Sequence, residues 1–296
     1  MSTLDLRPLS LGEILDRTFT LYRGNFLLFA GISAIPQVLV LVAQLMPALF
    51  FSSASVFSLP GNPNAAPRLP NLSPAVIAAA VGFFLVFILL VVFVTMLAQG
   101  ATVIAVSDLY LGRPTTLIGA FRRVWRKVLT IFAVAVLSGF AMIAGFIFLI
   151  VPGIYIACRL ALGVQAAVLE DAGPIDALSR SFALTKDTAG RVFLTYVLYG
   201  CLLGAAFGAV YFLLGIPLAI GVALEKNNAA MIALMTILPA VMSFLAGALV
   251  APFLMIAMSI LYYDTRVRKE GLDVQMMMNR LGEAAPPAIA APELLS

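Results

Sequence analysis

Arg159 is the one ionisable side chain set well inside an apolar run of this chain. At mid-bilayer depth a guanidinium costs about 2.5–3.5 kcal/mol on the insertion scale, so it demands a partner or a route to water. Glu170 stands eleven residues further on. Eleven helical steps turn about 1,100°, close to three full turns, and advance about 16 Å. On an unbroken helix the two side chains would therefore share one face without touching. Such a pair could line a path for a substrate or ion, or hold an anionic lipid headgroup. In the other reading Arg159 snorkels to the outer interface or caps carbonyls of a neighbouring helix. Gln44, Thr95 and Gln99 are the remaining polar candidates inside apolar runs, suited to hydrogen bonds between helices.

The residue inventory excludes much other chemistry. The chain has no histidine, which removes the commonest general base and metal ligand together. Its two cysteines, Cys158 and Cys201, lie in apolar runs and read as small hydrophobes, not as a disulfide framework or a zinc site. No phosphate-binding glycine loop, nucleophile elbow or zinc-protease motif is found. The expectation is a non-enzyme with no cofactor and no metal. The net charge of +4 is expected to reflect basic residues on one side of a membrane, not nucleic-acid binding.

The elements that must position these residues follow from composition. Of 296 residues, 62% are hydrophobic and 11% charged, where a soluble domain carries about a quarter charged residues. Mean hydropathy is +1.08. The fold class is all-α: a polytopic membrane helix bundle of about six transmembrane helices. Residues 1–270 form one membrane domain, and 271–296 a cytoplasmic tail, partly disordered. A span needs about 20 apolar residues. Candidates run over 26–51, 75–106, 128–151, 154–169, 192–224 and 229–263. Pro152 and Gly153 are expected to break the third from the fourth, which at about 24 Å crosses only with help from its flanks, or re-enters. Pro217, Pro239 and Pro252 are expected to kink or break the last hairpin.

Six spans put both termini on one side. That side then holds 15 of the 18 basic residues, and the opposite side only Arg68 and Lys226. The positive-inside rule makes the basic side cytoplasmic, in a plasma (bacterial inner) membrane. The first 25 residues are polar and amphipathic, unlike a cleavable signal. Residues 52–74 form one long Pro-, Asn- and Ser-rich outer loop.

A local pattern recurs before each odd-numbered span: apolar, apolar, any, Arg, any, aromatic. It reads Ile14-Leu15-Asp16-Arg17-Thr18-Phe19, then Ala120-Phe121-Arg122-Arg123-Val124-Trp125, then Ala177-Leu178-Ser179-Arg180-Ser181-Phe182. On a helix Leu117, Ala120, Phe121, Val124 and Trp125 make one stripe and Arg123 faces away. The third copy is weaker, since Pro174 and Ser181 interrupt its stripe. Three interfacial helices are expected, each leading into a transmembrane hairpin. A basic amphipathic loop before any span would look similar. Arg17, Arg123, Arg180, Arg266, Arg268 and Lys269 are the candidate headgroup contacts, at about 1 kcal/mol per basic residue near an anionic surface. Gly200, Gly204 and Gly208 form a small-residue row that would let the fifth span pack on the sixth, whose own row is Ser243, Gly247 and Ala251, or form a homodimer seam. Met276, Met277 and Met278 fit a short amphipathic tail helix or a solvated tail.

Four stretches carry a family resemblance: Arg7-Pro8-Leu9-Ser10-Leu11-Gly12-Glu13-Ile14-Leu15-Asp16-Arg17 with Leu21-Tyr22-Arg23 and Asn25-Phe26; Val151-Pro152-Gly153-Ile154-Tyr155 with Arg159; Glu170 with Ala177-Leu178-Ser179-Arg180-Ser181; and Leu261-Tyr262-Tyr263-Asp264-Thr265-Arg266-Val267-Arg268-Lys269-Glu270-Gly271. From residue 7 to about 273 the chain resembles bacterial membrane proteins grouped with the membrane domain of glycerophosphoryl diester phosphodiesterases, and the YciC-like proteins. The resemblance implies a membrane module. It does not carry over the phosphodiesterase activity, which belongs to a separate histidine- and carboxylate-dependent barrel. The expected role is a non-catalytic scaffold or assembly module that binds lipid headgroups or a partner protein at its basic face, with a homo-oligomer as a further expected association. The alternative is a permease-like transporter with a polar path near Arg159 and Glu170. A membrane lipid enzyme fits least.

Overall fold

A computed structural model describes residues 8–53, 73–224 and 229–271. The residues Arg7, Arg68, Lys226, Arg280 and Met276 to Met278, most of the outer loop and the tail lie outside the described residues. Those described form helices, with no strand among them. Six segments are long and apolar enough to cross a membrane: Phe26–Met46, Ile77–Tyr110, Val128–Phe148, Ile150–Leu169, Ala189–Leu218 and Ile237–Glu270. The chain is an all-α, multi-pass membrane bundle.

Three short helices stand where the repeated pattern falls. α1 (Leu11–Gly24) opens with a capping box: the Ser10 hydroxyl accepts the Glu13 N–H and the Glu13 carboxylate accepts the Ser10 N–H. α2 (Phe26–Ser53) and α3 (Pro74–Tyr110) follow. α4 (Leu117–Trp125) is capped by the Thr116 hydroxyl, and leads into α5 (Val128–Phe148). α8 (Pro174–Thr185) has Pro174 in its first turn, where the missing N–H is harmless. The proline that interrupts the stripe of the third copy is its start signal.

The third and fourth spans make the tightest hairpin. The break falls at Leu149, whose backbone is extended, three residues before the expected Pro152. Pro152 instead occupies the first turn of α6 (Ile150–Leu160). Gly145 and Gly153 bring α5 and α6 together: a Cβ on Gly153 would stand 2.5 Å from the Phe146 ring. The fourth span breaks again after Leu160 and resumes as α7 (Gly163–Leu169). Lys127, at the start of α5, donates to the Val168 carbonyl, so α6 and α7 together return along the length of α5.

α9 (Ala189–Val210) passes through a π-helical turn at Tyr211–Gly215 into α10 (Ile216–Leu224). α11 (Ala229–Glu270) is one 42-residue helix that continues unbroken through Pro239 and Pro252. The interruption in this hairpin, the π-helical turn, falls just before Pro217, one of the three prolines expected to kink or break it. The glycine rows also part company. A Cβ at Gly200, Gly204 or Gly208 meets nothing within 4 Å, so this row faces outward and does not pack on α11. Gly247 of α11 instead makes room for the Gln37 side chain of α2.

Packing is concentrated at one end. Leu9, Ile14, Phe29, Ile32, Val124, Ile131, Leu162, Leu184, Ile260 and Tyr262 are buried there. This end carries α1, α4 and α8 and the last turns of α3, α7 and α11, and is called the basic face below.

Candidate functional site

The basic face is built on carboxylates at the ends of spans. Asp264, near the end of α11, has a fully buried side chain. Its Oδ1 accepts the Leu9 backbone N–H at 2.6 Å. Its Oδ2 accepts from Arg191 Nη1 at 2.8 Å and from Arg268 Nε at 2.9 Å. The same two arginines also donate to the Leu9 carbonyl, at 3.2 and 2.6 Å. One carboxylate thus ties the segment before α1 to α9 and α11. Each ion is compensated by charge and hydrogen bonds, as a buried ion requires.

Glu170, which ends α7, makes the second knot. Arg180 of α8 donates through Nε to both carboxylate oxygens, at 3.1 and 2.9 Å. The Tyr262 hydroxyl donates to Oε1, and Arg266 lies 3.7 Å from it. Arg180 also pairs with Glu270, which Arg266 holds from one turn away at 2.9 Å. Burial pushes the Glu170 carboxyl up, but the Tyr262 hydroxyl and the Arg180 and Arg266 charges outweigh it and hold it below the usual carboxylate range. Burial likewise works against the Arg180 cation, and Glu170 and Glu270 outweigh it, raising its pKa.

A third set joins α3 to the others. Arg123 of α4 pairs with Asp108, which is 4% exposed. Arg17 of α1 donates to the Tyr110 hydroxyl at 3.1 Å. Tyr110 stacks on Tyr263, whose hydroxyl shares a hydrogen bond with Ser107 at 2.7 Å. Two further cations close the periphery. Lys127 pairs with Asp171, whose left-handed backbone (φ 52°) turns the chain after α7. Lys269 pairs with the exposed Asp187 at 2.9 Å and holds its carboxyl below the usual range.

All six cations expected at lipid headgroups therefore engage protein groups: Arg17 with Tyr110, Arg123 with Asp108, Arg180 with Glu170, Arg266 with Glu270, Arg268 with Asp264 and Lys269 with Asp187. The repeated arginine of α1, α4 and α8 has one structural use. It reaches the C-terminal end of an even-numbered span.

Arg159 stands apart from Glu170. The break after Leu160 ends the single helical face the two would have shared. It also frees the Arg159 carbonyl, which accepts from Ser181 at 2.7 Å and Thr185 at 3.1 Å; Ser181 further accepts the Leu162 N–H at 3.2 Å. Ser181, the polar residue in the apolar stripe of α8, is buried for this purpose. The guanidinium lies over the rings of Phe182, at 4.9 Å, and Tyr155, at 5.8 Å. Its Nε and Nη1, and Oε1 of Gln165, are buried without hydrogen-bond partners among the described residues. A cavity of about 290 Å³ lies elsewhere, between α2, α9 and α11, with Gln44, Tyr211, Pro239 and Ser243 among its walls. Gln44 donates to Ser243 at 3.3 Å, while Thr95 bonds only within its own helix.

Sequence reasoning missed Asp108, Asp264, Tyr262 and Leu9. Their signal is present in hindsight. Asp264 and Arg268 are spaced i,i+4, and Asp108 is the only acid in the apolar run of α3. Among the described residues no cluster of three metal-ligating side chains occurs. The arrangement binds helix ends to one another through paired charges, and the carboxylates at its centre are occupied by cations. Comparison of the chain with protein-family models, with curated proteins and with solved structures returns no match.

Proposed function

We propose that the chain is a non-catalytic membrane scaffold or assembly module, whose basic face presents a fixed surface to lipid headgroups or a partner protein. The observation that carries this reading is the interlock itself. Asp108, Glu170, Asp264 and Glu270 are consumed in holding α1, α4, α8 and α9 against the ends of α3, α7 and α11. A transport path needs ionisable groups that can exchange partners with a substrate. Here Glu170 is committed to Arg180 and Tyr262, and Arg159 is not among the walls of the cavity. The resemblance to the phosphodiesterase-associated membrane domain agrees, since that domain is not the catalytic barrel. In this reading both termini are cytoplasmic and the membrane is the bacterial inner membrane, because 15 of the 18 basic residues fall on that side.

The unpartnered Arg159 nitrogens are the one observation that favours the permease reading, and they supply the test. In cells whose growth or envelope phenotype depends on this gene, Arg159→Leu at normal abundance should complement as well as the unaltered chain. Failure to complement at normal abundance would replace the scaffold with a path through Arg159.

A further inference from the structure

Four cations crowd α4 and the turn after it, and they fall into two rows with i,i+4 spacing. Arg123 and Lys127 form the inner row, and each meets a carboxylate, Asp108 and Asp171. Arg122 and Arg126 form the outer row. Both are exposed, and neither has a partner among the described residues. The inner row is neutralised within the chain and the outer row is not.

The surroundings of the outer row are apolar. Ile118 and Trp125 are 78% and 62% exposed and with Arg122 follow the helical spacing 118, 122, 125, and Leu129, 81% exposed, lies just past the turn in α5. The opposite face of α4 is apolar too, with Ala120 and Val124 fully buried. A short helix in water would not hold a tryptophan and an isoleucine so open. A helix at a membrane surface would, with the rings and aliphatic groups among acyl chains and the arginines rising to the headgroups. Two guanidiniums one turn apart at that level lack only an anion, and phosphate matches their donor geometry.

We propose that Arg122 and Arg126, flanking Trp125 on the outward face of α4, form a binding site for the headgroup of an anionic phospholipid. This rests on the reading of the basic face as a lipid- or partner-binding surface, and gives it an occupant and residues. The headgroup cations are thus the two that the repeat did not single out, because the repeated arginine is spent on Asp108.

Trp125 is the sole tryptophan of the chain, so its fluorescence reports on this site alone. The full chain is reconstituted in phosphatidylcholine bilayers containing equal fractions of either brominated phosphatidylglycerol or brominated phosphatidylcholine. Brominated phosphatidylglycerol should quench Trp125 more strongly, with a preference approaching thirtyfold at low salt from two cations at about 1 kcal/mol each. The preference should collapse at high ionic strength. Arg122→Gln with Arg126→Gln should abolish it and leave quenching by brominated phosphatidylcholine intact, which shows that the fold and the depth of Trp125 are unchanged. Lys186→Gln, on the turn after α8, should leave the preference as it was.

Equal quenching by the two brominated lipids in the unaltered chain overturns the proposal, and assigns the outer row to an acidic surface on a protein partner. A preference that survives the double substitution overturns it as well. Neither result touches the scaffold reading, which is decided separately by complementation with Arg159→Leu.

Discussion

The two halves of α3 are both apolar and live in opposite surroundings. From Val81 to Leu90 the helix is exposed on nearly every side: Phe83, Phe84, Leu85, Val86 and Leu89 all lie open. From Ala98 to Asp108 it is buried almost without interruption. Side-chain size separates these halves as well as hydropathy, since the packed half also carries Gln99, Thr102, Ser107 and Asp108. The open half is rich in Phe and Leu, whereas the packed half reads Ala98, Gln99, Gly100, Ala101, Thr102 and continues through Ala105 and Ser107. Lipid tails are as apolar as a leucine, so large apolar residues gain little by leaving them. Small residues let backbones close up and dispersion contacts accumulate. Gly100 illustrates this, since its Cβ position lies 3.0 Å from Ile131 and 3.1 Å from Val124. The packed end is also the end with the charge interlock, so close packing and ion pairs reinforce each other there.

The largest expected effect lies at the centre of the interlock. Asp264→Ala leaves Arg191, Arg268 and the Leu9 N–H without their shared acceptor. It should cost about 3 kcal/mol, the low end for breaking a buried pair, because both arginines keep some contact with solvent. Thermal unfolding of the purified chain in detergent reads the loss. A change under about 0.5 kcal/mol would mean that packing alone, without the carboxylate, holds the basic face.

Next comes Gly100→Leu, in the packed half of α3. The added side chain must displace Ile131 or Val124, and overpacking of this kind costs about 1–3 kcal/mol. The same unfolding assay measures it. An unchanged midpoint would show that α3 and α5 can separate freely, and that the contrast between the halves is not energetic.

Six spans and three short amphipathic helices were legible in the residues, because run length, capping and helical period report them directly. The direction in which each charged side chain points was not. In water an amphipathic period tells inside from outside. In a membrane both the protein-facing and the lipid-facing surfaces are apolar, as the two faces of α4 show. Arg123, expected at headgroups, reaches Asp108 with its side chain still 56% exposed. Asp264, among the basic residues that follow the last span, is the hub of the interlock. Each of these acids meets a group on another element, Arg123 for Asp108 and Arg191 and Leu9 for Asp264, which no local pattern records. The glycine row of α9 does not pack on α11 for a related reason: spacing shows where a helix could be approached, not what approaches it.

Acid should loosen the packed end selectively. Glu170 titrates below its ordinary range in the folded chain. A carboxylate with a depressed folded pKa stabilises fully above its unfolded value, near 4.3, and the contribution is lost as pH falls through the folded value. Hydrogen exchange of α7 and α8 should therefore be flat from pH 7 to about 5, after correction for intrinsic rates, and rise below about 4. With Glu170→Gln that rise should shrink. A rise already complete at about pH 6 would contradict the direction of the shift.

The smallest effect tests the open end. Gly204 sits on the outward face of α9, with nothing within 4 Å of where its Cβ would be. A leucine there meets lipid and not protein, and it removes the conformational cost of a mid-helix glycine, up to about 1 kcal/mol. Gly204→Leu should thus be neutral or slightly stabilising, the reverse sign to Gly100→Leu in the same assay. The pair is informative because both positions are glycines in apolar helices and differ only in what faces them. If Gly204→Leu destabilises as strongly as Gly100→Leu, the row is covered in the assembled protein. The open half of the molecule would then be an interface between copies of this chain, and the same variant should shift the mass measured in detergent toward the monomer.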